Sequence, residues 1–214
     1  MSGLSRREST TDRLVSFVII LVIAAVQLTL PPSVTVGPLW LLPLLEVLVI
    51  PSSLILDRRT RMSPGTVRIN TTVLFVILVS SSVTNATLQF ITMFSPVDET
   101  GQNLLLAGLK VLAVCILSFG ILYWRLDGGG SAAVDTPSGT RMHFLFPQQS
   151  MSGSTWRPRL GDYLYIAFTN TIAFSPTDTM PLTAAAKSLF TVQSAVALMT
   201  ILVTLSRAIN FLPG

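Results

Sequence analysis

Most of the charge in this chain falls in the gaps between its apolar runs. The sequence runs almost wholly apolar over Leu14–Leu30, Pro38–Leu56, Asn70–Phe94, Leu104–Trp124 and Thr183–Ile209. Arginines gather outside those runs, at Arg6, Arg7 and Arg13 and at Arg58, Arg59, Arg61 and Arg68, while Arg207 falls near the end of the last run. Apolar runs of about 20 residues have the length of a bilayer-spanning helix. In lipid, only helices and closed barrels satisfy their own backbone polar groups. Only 11% of the 214 residues are charged and 50% are hydrophobic, where a soluble domain carries roughly 25% charged residues. The chain therefore reads as one all-α domain, a polytopic transmembrane helix bundle with about six membrane segments.

The pattern divides the chain into a cytoplasmic tail over 1–13, a four-helix bundle over 14–124, a polar loop over 125–160, and a C-terminal unit over 161–210. That last unit holds a short apolar segment, Tyr163–Ser175, then a polar turn and a long helix. Lys and Arg favour the cytoplasmic face, which places the N-terminus, the 57–69 loop and the 125–160 loop inside. The fifth segment is too short for an ordinary span. If it crosses, the chain has about six spans with both termini inside. If it is re-entrant, there are about five, and the C-terminus lies outside. The Leu14–Leu30 run has no small-x-small cleavage site, so a span is expected there rather than a signal peptide.

One cysteine, Cys115, and one histidine, His143, leave no disulfide framework and no zinc or haem ligand set. No nucleophile–base constellation stands out, so neither enzymatic activity nor a cofactor is expected. The formal net charge of +4 reads as membrane topology rather than nucleic-acid binding.

The polar groups inside the apolar runs carry more information. Glu46 and Lys110 each fall within one, where a central charge costs roughly 2.5–3.5 kcal/mol. That cost argues for an intramembrane charge pair between them, serving as an ion relay or as a structural link. A protonated Glu46 and a snorkelling Lys110 are the alternatives. Ser81, Asn85 and Gln89 recur at i, i+4, i+8 and share one helical face. Such a stripe either packs helices together or lines a path.

The C-terminal unit resembles the pore unit of two-helix potassium channels. Tyr163-Leu-Tyr165, Thr169, Thr171, Asp178, Pro181-Leu-Thr183, Lys187 and Ser206-Arg207 occupy comparable places. Tyr123-Trp124-Arg-Leu-Asp-Gly-Gly129, Phe144-Leu-Phe-Pro147, Trp156-Arg-Pro158 and Ala173-Phe-Ser-Pro-Thr-Asp178 resemble an uncharacterised family of bacterial multi-pass membrane proteins. The first resemblance implies a pore helix, filter and inner helix. The second implies the bacterial plasma (inner) membrane. The stretch Ile172-Ala-Phe-Ser-Pro-Thr177 departs from a potassium filter, because it has no glycine and contains Pro176.

The expectation is an ion-channel-like permeation protein embedded in the lipid bilayer, a homo-oligomer without a standard potassium filter, with monovalent cations as candidate permeant species. Thr171, Ser175 and Thr177 would offer oxygen ligands, and Asp178 would concentrate cations at the mouth. The alternatives are a non-conducting scaffold or sensor module, and a small transporter using Glu46 and Lys110.

Overall fold

A computed structural model describes residues 2–35, 37–48, 64–92, 101–127, 142–152, 154, 156–175 and 178–210, with the backbone alone at 2–13, 64–71, 101 and 210. Thr177, the 57–63 part of the arginine loop, residues 49–56 of the second run and Gly128-Gly-Gly130 lie outside the described residues.

The described chain is all-α apart from one two-residue strand pair. Its helices are α1 (Ser2–Leu28), α2 (residues 41–48), α3 (Pro64–Ile91), α4 (Gly101–Leu126), α5 (Leu160–Ala173) and α6 (Ala184–Asn210). Three of them, over Thr72–Ile91, Gln102–Leu126 and Ala184–Ile209, are long and apolar enough to cross a membrane. The apolar part of α1, Leu14–Leu28, is shorter.

Helix α4 is the central element, packing against α1, α3, α5 and α6. Its near-continuous apolar sequence fits burial on most sides. On α1, by contrast, Ser16, Ile20, Ile23, Ala24 and Gln27 are buried at helical spacing, while Val18, Leu21 and Val22 are exposed. Leu198, Leu202, Leu205 and Ile209 form a similar exposed stripe on α6. Large apolar side chains turned outward on long helices suit a hydrocarbon solvent.

Two glycines let neighbours approach α4 closely, the role small residues take between membrane helices. A Cβ on Gly120 would lie 2.6 Å from Leu164 Cδ2 and 3.1 Å from Leu164 Cα of α5. A Cβ on Gly108 would lie 2.1 Å from Thr204 Oγ1 and 2.9 Å from Gln89 Nε2.

Polar contacts define two ends of the bundle. At the far end, Lys110 Nζ donates to Thr29 O at 2.9 Å and the Arg207 guanidinium donates to Thr92 O. At the loop end, β1 (Phe144–Leu145) pairs antiparallel with β2 (Met180–Pro181), and Leu182 N donates to His143 O at 2.9 Å. Asp127, just past α4, accepts from His143 N at 2.9 Å and from the Tyr163 hydroxyl at 2.6 Å. The start of α5, the start of α6 and the end of α4 are thus tied at one end.

Helix α5 is bounded by local chemistry. Asp162 Oδ2 accepts from Arg159 N at 2.6 Å, which closes the first turn and sets a carboxylate at the helix N-terminus. The helix stops at Ala173, and Phe174 turns left-handed at φ 50°. Pro176 two residues on disfavours helix at Ser175. At 14 residues, α5 is about 21 Å long, short of the roughly 30 Å hydrocarbon core. Both of its flanks return to the loop end.

The loop before α5 is less polar than its composition suggests. Phe144 and Phe146 are buried, and Trp156 packs on Phe146 with ring centroids 5.4 Å apart. Phe144 meets Tyr123 edge-on at 5.4 Å, Tyr123 stacks on Phe190 at 4.8 Å, and Phe146 meets Tyr163 edge-on at 5.3 Å. These rings join α4, α5, α6 and β1 into one aromatic core at the loop end.

Candidate functional sites in the polar interior

Two clusters of buried polar side chains lie inside the bundle. The first joins α4, α5 and α6. Gln193 of α6 is fully buried and uses every hydrogen-bonding position it has. Its Nε2 donates to Ala167 O at 2.8 Å and to Thr171 Oγ1 at 2.9 Å. Its Oε1 accepts from Asn170 Nδ2 at 2.9 Å and from the Tyr123 hydroxyl. Asn170 also donates to Phe190 O at 3.3 Å and accepts from Ser194 Oγ at 3.1 Å. A network paired this fully fixes one geometry. Beside it, burial and the neighbouring Asp127 carboxylate push the Tyr163 phenol well above its usual range, so the hydroxyl stays a donor.

This cluster relocates one of the pore candidates. Thr171 is fully buried, its hydroxyl donating to Ala167 O at 2.9 Å and accepting from Gln193. Ser175 and Asp178 are exposed beyond the C-terminal end of α5. Thr171 therefore does not line a common surface with them. The helix turns its hydroxyl toward α6, because Asn170 and Thr171 are the polar side chains of an otherwise apolar face.

The second cluster joins α1, α2 and α3. Glu46, fully buried on α2, accepts from Gln27 Nε2 at 2.9 Å, and the same nitrogen donates to Ser81 Oγ at 3.1 Å. Lys110 takes no part, since its ammonium caps Thr29 O on the exposed far end of α1. The expected Glu46–Lys110 charge pair is corrected accordingly. Lys110 lies near enough to the far end to reach a helix-terminal carbonyl, and the neutral amide of Gln27 occupies the place expected for a cation.

The Ser81, Asn85 and Gln89 face of α3 is buried along its whole length, and only part of it is paired. Gln89 Nε2 donates to Thr204 Oγ1 at 3.4 Å. Asn85 is 1% exposed, and neither its Oδ1 nor its Nδ2 has a partner. Gln27 Oε1, Glu46 Oε2, Ser82 Oγ and Gln89 Oε1 are also buried without one. Asn85 and Gln27 line a small cleft whose other walls are Leu30, Thr35, Pro38, Leu39, Leu42 and Pro43. The cleft lies beside Thr35 and Pro38, toward the far end.

Sequence reasoning missed Gln27, Asn170 and Gln193. Each is an amide within or beside an apolar run, the same signal that had singled out Asn85 and Gln89. Among the described residues, no group of three or more His, Cys, Asp or Glu side chains could hold a metal ion. Comparison of the chain with protein-family models, curated proteins and solved structures gives no match.

Proposed function

We propose that the chain is a multi-pass protein of the bacterial plasma membrane that carries a small ion or polar solute through the seam between α1, α2 and α3. On this reading it is a permeation protein of the transporter kind. The observation that carries it is Glu46, a carboxyl buried among membrane-length helices beside the unpaired amide of Asn85. Ionisable and polar groups at membrane depth are expensive, and they mark substrate and ion pathways. A seam that served only as glue would pair its members, as the α4–α5–α6 cluster does.

The loop end is the cytoplasmic face, where α1 begins with Arg6, Arg7 and Arg13 and α3 begins with Arg68. Helix α5 enters from that face and returns to it. Helices α1, α2, α3, α4 and α6 then cross, for about five spans with the C-terminus outside. The re-entrant course of α5 supports the likeness to a pore loop in outline. The burial of Thr171 removes support for a filter ring built on it.

Flux into proteoliposomes discriminates the two arrangements, with ²²Na⁺, ⁸⁶Rb⁺ and an internal pH dye as probes. Glu46→Gln is expected to abolish flux, and Asp178→Asn to leave it within about twofold, since exposed charges act through a screened field. The reverse pattern would return the function to the turn at the loop end.

A further inference from the structure

The geometry points to a binding site for a small, dehydrated monovalent cation at the buried end of the α1–α2–α3 cleft, held by Gln27 and Asn85 with Glu46 supplying the charge. This inference rests on the permeation reading and names the ligand class of the same seam.

The argument begins with the chemistry of the unpaired atoms. Gln27 Oε1, Glu46 Oε2 and Asn85 Oδ1 are buried oxygens that can accept, and none has a partner. Asn85 Nδ2 is the one donor atom among these unpaired groups. A site rich in acceptors and poor in donors calls for a ligand that brings positive charge. All the donor atoms are hard oxygens, which suit hard cations rather than zinc or copper.

Charge then sets the valence. Glu46 is the one ionisable side chain on the hydrogen-bonded Gln27–Glu46–Ser81 unit. One carboxylate neutralises one monovalent cation. A divalent ion would leave an uncompensated charge among apolar walls, at a cost of several kcal/mol. Among the described buried residues the other acidic side chain is Asp127, which is held by His143 and Tyr163 at the loop end.

Access and placement agree with this assignment. Gln27 and Asn85 line the cleft directly, and Glu46 lies one 2.9 Å hydrogen bond behind Gln27. The cleft walls otherwise come from Leu, Pro and Thr side chains, so a bound ion would have to shed most of its water and take protein oxygens instead. Lys110 is the cation closest by sequence of contacts, its Nζ on Thr29 O two residues beyond Gln27. A like charge at that position opposes binding, so removing it favours the bound state.

The test is made on the purified full chain in detergent at fixed pH and ionic strength. Thermal unfolding is followed as NaCl replaces choline chloride, and equilibrium binding of ²²Na⁺ is measured in parallel. The expected result is a saturable rise in Tm with sodium and one bound ion per chain. Glu46→Gln should abolish it. Asn85→Leu should weaken it by about tenfold, the worth of one good polar contact. Lys110→Gln should tighten it, a gain of function that misfolding cannot mimic. If sodium and choline act alike, or if ²²Na⁺ binding persists unchanged in both Glu46→Gln and Asn85→Leu, the site is overturned and waters alone satisfy the seam. Glu46-dependent flux of protons without saturable sodium binding would also overturn it, while leaving the permeation reading intact. Sodium binding without flux would keep the site and sink that reading.

Discussion

The two buried polar clusters use similar side chains in opposite ways. Between α4, α5 and α6, Gln193, Asn170, Thr171, Ser194 and Tyr123 pair with one another or with backbone carbonyls, and none of their side-chain atoms is left unpaired. Between α1, α2 and α3, Gln27, Glu46 and Asn85 are buried to a similar degree, yet each keeps at least one unpaired atom. Burying an unsatisfied amide costs about 1–3 kcal/mol, so the second arrangement is tolerated at the expense of stability. The first cluster locks α5 onto α4 and α6. On the permeation reading, the second keeps a seam open for a ligand. Strained or unsatisfied groups that persist in a folded chain point to function more than to packing.

This contrast is broken most sharply by sidedness. In a Cys115→Ala background, single cysteines at Ser154 and Ser175 are expected to react with an impermeant thiol reagent from the arginine-rich side only. A cysteine at Thr35 should react from the other side. Labelling of positions 154 and 175 from opposite faces would mean that α5 crosses, and the locked cluster would then belong to a span.

The next largest effect is expected at Gln193. Its truncation to Ala removes partners from the Tyr123 hydroxyl, Asn170, Ala167 O and Thr171 at once. The loss should be about 2–4 kcal/mol in reversible unfolding. A loss under about 0.5 kcal/mol, near the average for one interhelical hydrogen bond in a membrane protein, would show that the cluster does not act as a unit. A smaller effect is expected from Gly120→Ala. Its new Cβ would press on the Leu164 backbone, and overpacking of this kind costs about 1–3 kcal/mol. A neutral result there would mean that α5 sits more loosely on α4 than its contacts imply.

Much of this organisation was legible in the sequence, and the limits have physical causes. The apolar runs around α3, α4 and α6 found those helices, because run length and charge exclusion are local properties. Pro176 foretold the end of α5, since its constraint acts on the residue before it. The Ser81, Asn85 and Gln89 stripe was found by spacing alone. Partner choice was not legible. Glu46 was matched to Lys110 because both carry charge, but the rotation of α1 about its axis presents Gln27 instead, and spacing within one helix does not encode its neighbour. Asp127 was read as a loop charge, although it organises the loop end through His143 and Tyr163. Phe144 and Phe146 were placed in a polar loop. Their alternation about Leu145 was the available signal, and the pairing with Met180 and Pro181 is too distant in sequence to read.

The most direct test of the difference between the clusters is one substitution made twice. Asn170→Leu and Asn85→Leu remove the same amide from two equally buried positions, and unfolding is compared in sodium-free buffer. Asn170→Leu is expected to destabilise by about 2 kcal/mol, and Asn85→Leu to be neutral or to stabilise by about 1 kcal/mol. Equal destabilisation at both positions would contradict the account and make the α1–α2–α3 seam a second structural clamp.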